Sequence, residues 1–268
     1  MIDTNRGGHV CIYVFALHCE EEMQMAATVK KSTDTQEIII KPVKVQKADI
    51  TIVGDTPLIV HAWSEKAKRE MLDAQQKLKK DKKAKEIRLP ANEFVSAAYW
   101  LTPMPELGTD LDGKDTLANF EKAIAAGAKF GFPITAIKQS ALAACYRAGI
   151  IPNQMGMKCS FYLNSKDGVN LGTGSELAVI QSDNPPVMRE DMVRIGGISK
   201  VADLRYRPMF IDWRINLTVS LIDVGVFTMD SIINAINLGG YMGGIGEWRM
   251  ERDGDFGHYH VEIDGERV

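Results

Sequence analysis

From about residue 48 onward, apolar residues recur along the chain first at a period of two, then of three to four. Ile50 and Ile52 alternate with Thr51, and after Gly54-Asp55 an apolar run fills positions 58–63. That predicts a long or broken strand kinked at 54–57. Ser64 stands where a helix cap belongs, ahead of Ala67, Met71, Ala74 and Leu78 at helical spacing. Positions 92–101 suit a strand or a short helix, which Thr102-Pro103-Met104-Pro105 breaks. Asp115 precedes Leu117, Phe120, Ile124 and Ala128, an amphipathic helix. Beyond a turn at Phe132-Pro133, Thr135 can cap a helix with Ile137, Ala141, Leu142 and Cys145 on one face. Residues 150–200 mix short strands, one at 159–163, with turn-forming clusters, which predicts a hairpin-rich insertion. Ile215, Leu217, Val219 and Leu221 alternate with polar residues as a half-buried strand. Thr228 then caps a helix built on Met229, Ile232, Ile233 and Ile236, and Gly239 marks its stop. A glycine-rich stretch at 239–246 leads to a last strand, in which Tyr259, Val261 and Ile263 alternate with surface-facing His258, His260 and Glu262.

This order predicts an α+β domain with an antiparallel sheet, of which a ferredoxin-like (RRM-like) βαββαβ arrangement is the economical form. The domain spans 48–268, and residues 1–47 form an N-terminal arm or extension. At 45% hydrophobic and 25% charged, the composition is that of an ordinary globular chain. No apolar run approaches the ~18 residues of a membrane span. The run at 10–17 is closed by Glu20, Glu21 and Glu22, so it does not read as a secretory signal. A cytoplasmic protein without a membrane partner is expected. Cys11, Cys19, Cys145 and Cys159 contain no C-x-x-C pair. Cys11, His18 and Cys19 could supply three metal ligands, but no fourth is evident, and neither a metal nor a cofactor is expected.

Charge changes the picture by its distribution. The total is −3, which excludes a uniformly basic nucleic-acid coat protein. Yet residues 66–88 hold ten basic against four acidic side chains, a net +6, and 129–158 is +4 with no acid at all. Residues 247–268 are −4 and 1–40 are −3. Oppositely charged parts suit a groove for a strand, or contact between copies. Within the basic segments Lys79, Lys80, Lys82 and Lys83 form a candidate phosphate-facing patch. The helix opening after Pro133 offers free amides beside Lys138, Gln139 and Ser140 for an anion. Arg205, Tyr206 and Arg207 interleave a stacking ring with two guanidinium groups, as single strands require, although an extended backbone turns Tyr206 to the opposite face. Gly243, Gly244 and Gly246, with Arg249 close behind, allow close approach of another backbone or a cradle of amides. No Walker lysine or dinucleotide fingerprint accompanies them. His61, in an apolar run, is a packed histidine or, in a nuclease, a general base. No hydrolase motif occurs, and a non-catalytic protein is the primary expectation.

The segments at 133–142 (Pro-Ile-Thr-Ala-Ile-Lys-Gln-Ser-Ala-Leu), 239–249 (Gly-Gly-Tyr-Met-Gly-Gly-Ile-Gly-Glu-Trp-Arg) and 255–261 (Asp-Phe-Gly-His-Tyr-His-Val) together resemble the repeat-associated mysterious protein (RAMP) superfamily. These are the RRM-like proteins of CRISPR effector complexes. Pro133, Ile137, Lys138, Gly243, Gly244, Gly246 and Gly257 match its two motifs over a span of roughly 48–263. Gln139 stands where the family often has glycine. Glu247, Glu251, Asp253 and Asp255 dilute its usual basic residues near the glycine-rich loop. The resemblance is to the effector backbone subunits that polymerise along a guide. It implies a protein that binds RNA or single-stranded DNA and assembles head-to-tail with copies of itself, alongside other effector-complex subunits. Two alternatives are a metal-independent endoribonuclease of the same fold using His61, and a protein–protein assembly module of viral or prophage origin.

Overall fold

A long strand, β1 (Lys44–Gly54), organises the chain because its alternate side chains Ile50 and Ile52 are buried while Lys44, Gln46 and Lys47 stay in solvent. The computed structural model describes residues 42–63, 65–76, 87–167, 176–195 and 201–268. The expected arm up to residue 41, the Ser64 cap, Cys11 and Cys19, and the lysine patch Lys79, Lys80, Lys82 and Lys83 lie outside them. Residues 43–268 form one compact unit.

The protein is α+β, with six α-helices and antiparallel sheets among the described residues. β1 pairs antiparallel with β8 (Arg214–Asp223), from Lys44 opposite Asp223 to Val53 opposite Arg214. On its other side lies β9 (Tyr259–Ile263), which pairs with a short edge strand β10 (Glu266–Arg267). β4 (Phe161–Ser165) closes the far edge against β8, so the order across the sheet is β10-β9-β1-β8-β4. Two helices return the chain between these strands. One is α4 (Ile134–Arg147), which leads through α5 (Gln154–Ser160) into β4, and the other is α6 (Met229–Met242), which leads to β9. They pack on each other and supply Ile137, Ala141, Leu142, Ile232 and Ile236 to one core with Ile52, Leu217, Val219 and Tyr259.

Several local outcomes differ from the pattern reading. The apolar run 58–63 keeps only a two-residue strand, β2 (Leu58–Ile59), and this leaves the central sheet to pair with β7 (Val201–Phe210). The kink at 54–57 is thus a change of sheet. Residues 154–160 are helical, because the Asn153 side chain accepts from the Met155 amide and starts a turn, so the strand expected at 159–163 begins at Phe161. Gly239 is not a helix stop. α6 runs through it to Met242, because a Cβ there would lie 2.7 Å from the Ala141 amide, so the glycine is what lets α6 and α4 touch. Position 92–101 resolves in favour of helix, α2 (Pro90–Ser96), and the 115–128 pattern becomes α3 (Lys114–Ala125). In α1 (Glu65–Gln75) the two described side chains of the expected apolar stripe, Met71 and Ala74, are exposed.

The 150–200 region is woven into the domain rather than appended to it. β5 (Leu177–Ile180) pairs with β3 (Phe130–Pro133), and β6 (Val187–Ile195) pairs antiparallel with β7 in an arm that β2 extends to a three-stranded sheet at its base. No described helix is long and apolar enough to cross a membrane.

Candidate functional site

The glycine-rich turn after α6 lies against β2 and the loop before β9. Its amides are largely consumed by that packing. Gly243 and Gly244 donate to the Gly239 carbonyl, Ile245 donates to Gly257, and Glu247 donates to Ile59. Gly246 has φ +82°, and a Cβ on it would sit 2.5 Å from the Ile59 carbonyl oxygen. These glycines serve close approach within the chain, so a cradle made from their amides is not what the turn offers.

Other expected contacts are committed internally as well. The Lys138 ammonium donates to the carbonyls of Lys158 (2.7 Å) and Phe161 (2.5 Å), at the C-terminal end of α5, and lies 4.8 Å from the Phe161 ring centroid. Its burial lowers its pKa from the ordinary lysine value. Ser140 is buried and donates to Gly239, and the Ile134 amide at the start of α4 donates to Glu176. Pro133, not Thr135, is the N-cap residue. Gln139 remains exposed. Arg88, at the end of the basic segment, spans Glu93, Asp203 and the Leu204 carbonyl, so it pins α2 to β7.

What the turn does assemble is a cluster of arginines. Register sets Arg189 opposite Arg207 and Asp191 opposite Arg205, all on one face of the β6–β7 arm, with Glu190 and Tyr206 on the other. Arg207 is buried, with Nη1 3.4 Å from Asp191 and Nη2 3.9 Å from Glu247 of the turn. Asp191, also buried, takes a second bond from Arg189 at 2.8 Å. Arg189 lies 4.4 Å from the Phe256 ring centroid. Arg205 pairs with Asp203 at 2.8 Å and stands apart from this cluster, and Tyr206 is half-buried against Glu190. Arg249 donates to the Gly246 carbonyl and to Glu251, whose other partner is Arg147.

Between arm and turn lies a cleft of about 390 Å³ lined by Val193, Arg207, Glu247, Trp248, Arg249 and Arg252. Trp248 and Arg252 are the residues the motif reading missed; a donor-bearing ring and a further guanidinium within six positions of Gly246 were the available signal. His61 is half-exposed beside the cleft, its Nδ1 3.8 Å from Glu247. That contact holds the Glu247 carboxyl below its usual range, with the Arg207 charge assisting.

His260 departs from its expected surface position. It is buried, with Nδ1 2.8 Å from Asp55 and Nε2 3.3 Å from Glu262, because β9 runs inside β10 rather than at the edge. Cys145 is buried and Cys159 exposed. Among the described residues no group of three or more His, Cys, Asp or Glu side chains could hold a metal ion.

No protein-family model matches this chain, and no curated protein is similar to it.

Proposed function

We propose that this chain is a non-catalytic single-stranded nucleic-acid-binding protein of RAMP-like, ferredoxin-like architecture that assembles head-to-tail with copies of itself. The architecture is supported by the order strand, helix, strand, strand, helix, strand traced by β1, α4, β4, β8, α6 and β9, with the sheet order β9-β1-β8-β4. The single observation that carries the binding reading is the arginine-lined cleft between the β6–β7 arm and the glycine-rich turn. It gathers Arg207, Arg249 and Arg252 with Trp248, the pairing of cations and an aromatic face that a strand uses. Lys138, Ser140 and Arg205 have internal partners, so the binding surface is drawn at the cleft rather than at α4. Self-assembly is supported by the apolar side chains Met188, Met192 and Leu204, exposed on the Tyr206 face of the arm.

The test is binding of a fluorescent uridine or thymidine oligonucleotide, followed by anisotropy over a salt series. Affinity falls log-linearly with salt, by about 0.7 of a unit per phosphate neutralised. Salt-insensitive binding, or none, overturns the reading and leaves an assembly module without nucleic acid. One observation favours a second reading, an endoribonuclease. The Glu247 contact at His61 Nδ1 leaves Nε2 to act as general base beside guanidinium groups. RNA cleavage by the purified protein that vanishes in His61→Ala would establish that reading; absence of cleavage removes it.

A further inference from the structure

The cleft is lined by two side chains whose buried N–H donors have no partner among the described residues. Arg207 Nε and Trp248 Nε1 are both buried, and neither has a partner. Trp100 and Trp213 differ, because each donates its indole N–H to a carbonyl, of Val95 and Thr56, at 2.8 Å. Buried donors without partners are rare because leaving one unpaired carries the full cost of its desolvation. Here two of them line one cleft beside two more guanidinium groups.

Trp248 is held there under strain. Its φ of +50° is in the left-handed region, unfavourable for a bulky side chain. The Phe256 amide donates to its carbonyl at 3.0 Å, and Gly254 crosses it so closely that a Cβ would lie 2.0 Å from that oxygen. The backbone around the ring is therefore fixed by contacts on the far side of the turn.

We propose that the cleft is a phosphate subsite, in which a phosphate or phosphodiester group takes its hydrogen bonds from Arg207 Nε and Trp248 Nε1, with Arg252 supplying charge. Guanidinium and indole groups donate and cannot accept, so the complementary ligand offers oxygen lone pairs and negative charge. A volume of about 390 Å³ lies at the small end of ligand pockets, enough for one such group and an attached sugar or ring. Glu247 lines the same cleft and opposes the anion. Its carboxylate is shared by His61 at 3.8 Å and Arg207 at 3.9 Å, both long contacts that an arriving phosphate can replace. The subsite rests on the strand-binding reading only for the source of its phosphate; a free phosphate satisfies the same donors.

Indole N–H signals in a ¹H–¹⁵N spectrum test this. Trp248→Phe, which deletes the indole N–H and keeps a smaller aromatic ring, assigns the Trp248 signal. Inorganic phosphate added at constant ionic strength shifts that signal saturably, while the Trp100 and Trp213 signals stay in place. A uridine hexanucleotide produces the same shift at far lower concentration if the phosphate belongs to a strand. In calorimetry, Trp248→Phe and Arg207→Lys each weaken phosphate about tenfold, the size of one charge-assisted hydrogen bond. Glu247→Gln strengthens it severalfold. Should Arg207→Lys melt early, Trp248→Phe alone decides. A shift with phosphate but not with the hexanucleotide keeps the subsite and rejects the strand. Hexanucleotide binding seen by anisotropy with the Trp248 signal unmoved rejects the subsite and keeps the strand. No response to either probe overturns the subsite.

Discussion

Two glycines with nearly the same backbone angle separate the cost of conformation from the cost of contact. Gly246 in the turn has φ +82°, and Gly127 after α3 has φ +84°. A Cβ on Gly127 meets nothing within 4 Å, whereas one on Gly246 lies 2.5 Å from the Ile59 carbonyl oxygen and 2.7 Å from Leu58 Cδ1. Gly127→Ala therefore suffers only the left-handed penalty of about 1–2 kcal/mol, partly offset by a stiffer unfolded chain. Gly246→Ala carries that same loss and must also push the turn away from β2. Displacement weakens the 2.9 Å bond from Glu247 to Ile59, worth about 1 kcal/mol, and overpacks fully buried Leu58 at a cost of about 1–3 kcal/mol. The second variant should thus be less stable than the first by about 2–4 kcal/mol. At about 2–4 °C per kcal/mol for a domain of this size, the melting midpoints separate by about 5–15 °C. Circular dichroism melts of the two variants against the parent measure it. Equal midpoints would refute the claim that these glycines exist for close approach within the chain.

Asp191→Ala leaves buried Arg207 with only the 3.9 Å contact to Glu247 and should cost about 3–5 kcal/mol in urea unfolding, because a buried charge loses its partner. Lys138→Met removes two bonds to carbonyls and should destabilise by about 1–3 kcal/mol, yet leave the salt slope of oligonucleotide binding unchanged. A changed slope would return Lys138 to the binding surface. The Glu247 carboxyl sits below its ordinary value of 4.5 in the folded state through its His61 contact, so its stabilisation is present above that value and is lost as pH falls through the folded pKa. Urea midpoints measured over that acid range should fall less steeply in Glu247→Gln than in the parent.

Strands and helices that bury one face were legible, since period is set by the same pleat and turn that set burial. Ile215, Leu217, Val219 and Leu221 are all buried in β8, and Ile232, Ile233 and Ile236 all point into the core from α6. What escaped was decided by neighbours distant in sequence. Gly239 reads as a helix stop because glycine favours one, but Ala141 of another helix needs the missing Cβ. His260 reads as a surface residue of an alternating strand, but Asp55 lies over it from the end of β1. Nor can periodicity reveal that the run after Pro57 changes sheets, because both sheets reward the same apolar residues. The cleft itself was half legible. Arg207 and Arg249 stood out by type, while Trp248 gained its meaning only from a backbone angle and an unpartnered atom.

Charge counting along the chain pointed to segments, and the fold commits several of the described cations to internal partners. Arg88 holds α2 to β7, Lys138 closes the end of α5, Arg205 faces Asp203, and Arg147 faces Glu251. Each is a cation whose nearest oxygen belongs to this same chain, so each contributes little attraction to a passing anion. The segment with the most acidic tally, 247–268, nevertheless contributes Arg249, Arg252 and Trp248 to the cleft, and two of its carboxylates are paired away from it. Glu251 is bound to Arg147 and Arg249, and Glu262 lies against His260. Binding potential therefore follows what remains after internal pairing rather than net charge per segment. By that measure the residual buried side-chain N–H donors among the described residues are Arg207 Nε and Trp248 Nε1. A near-neutral total therefore says nothing against an anion site, because net charge does not register which donors the fold leaves unpaired.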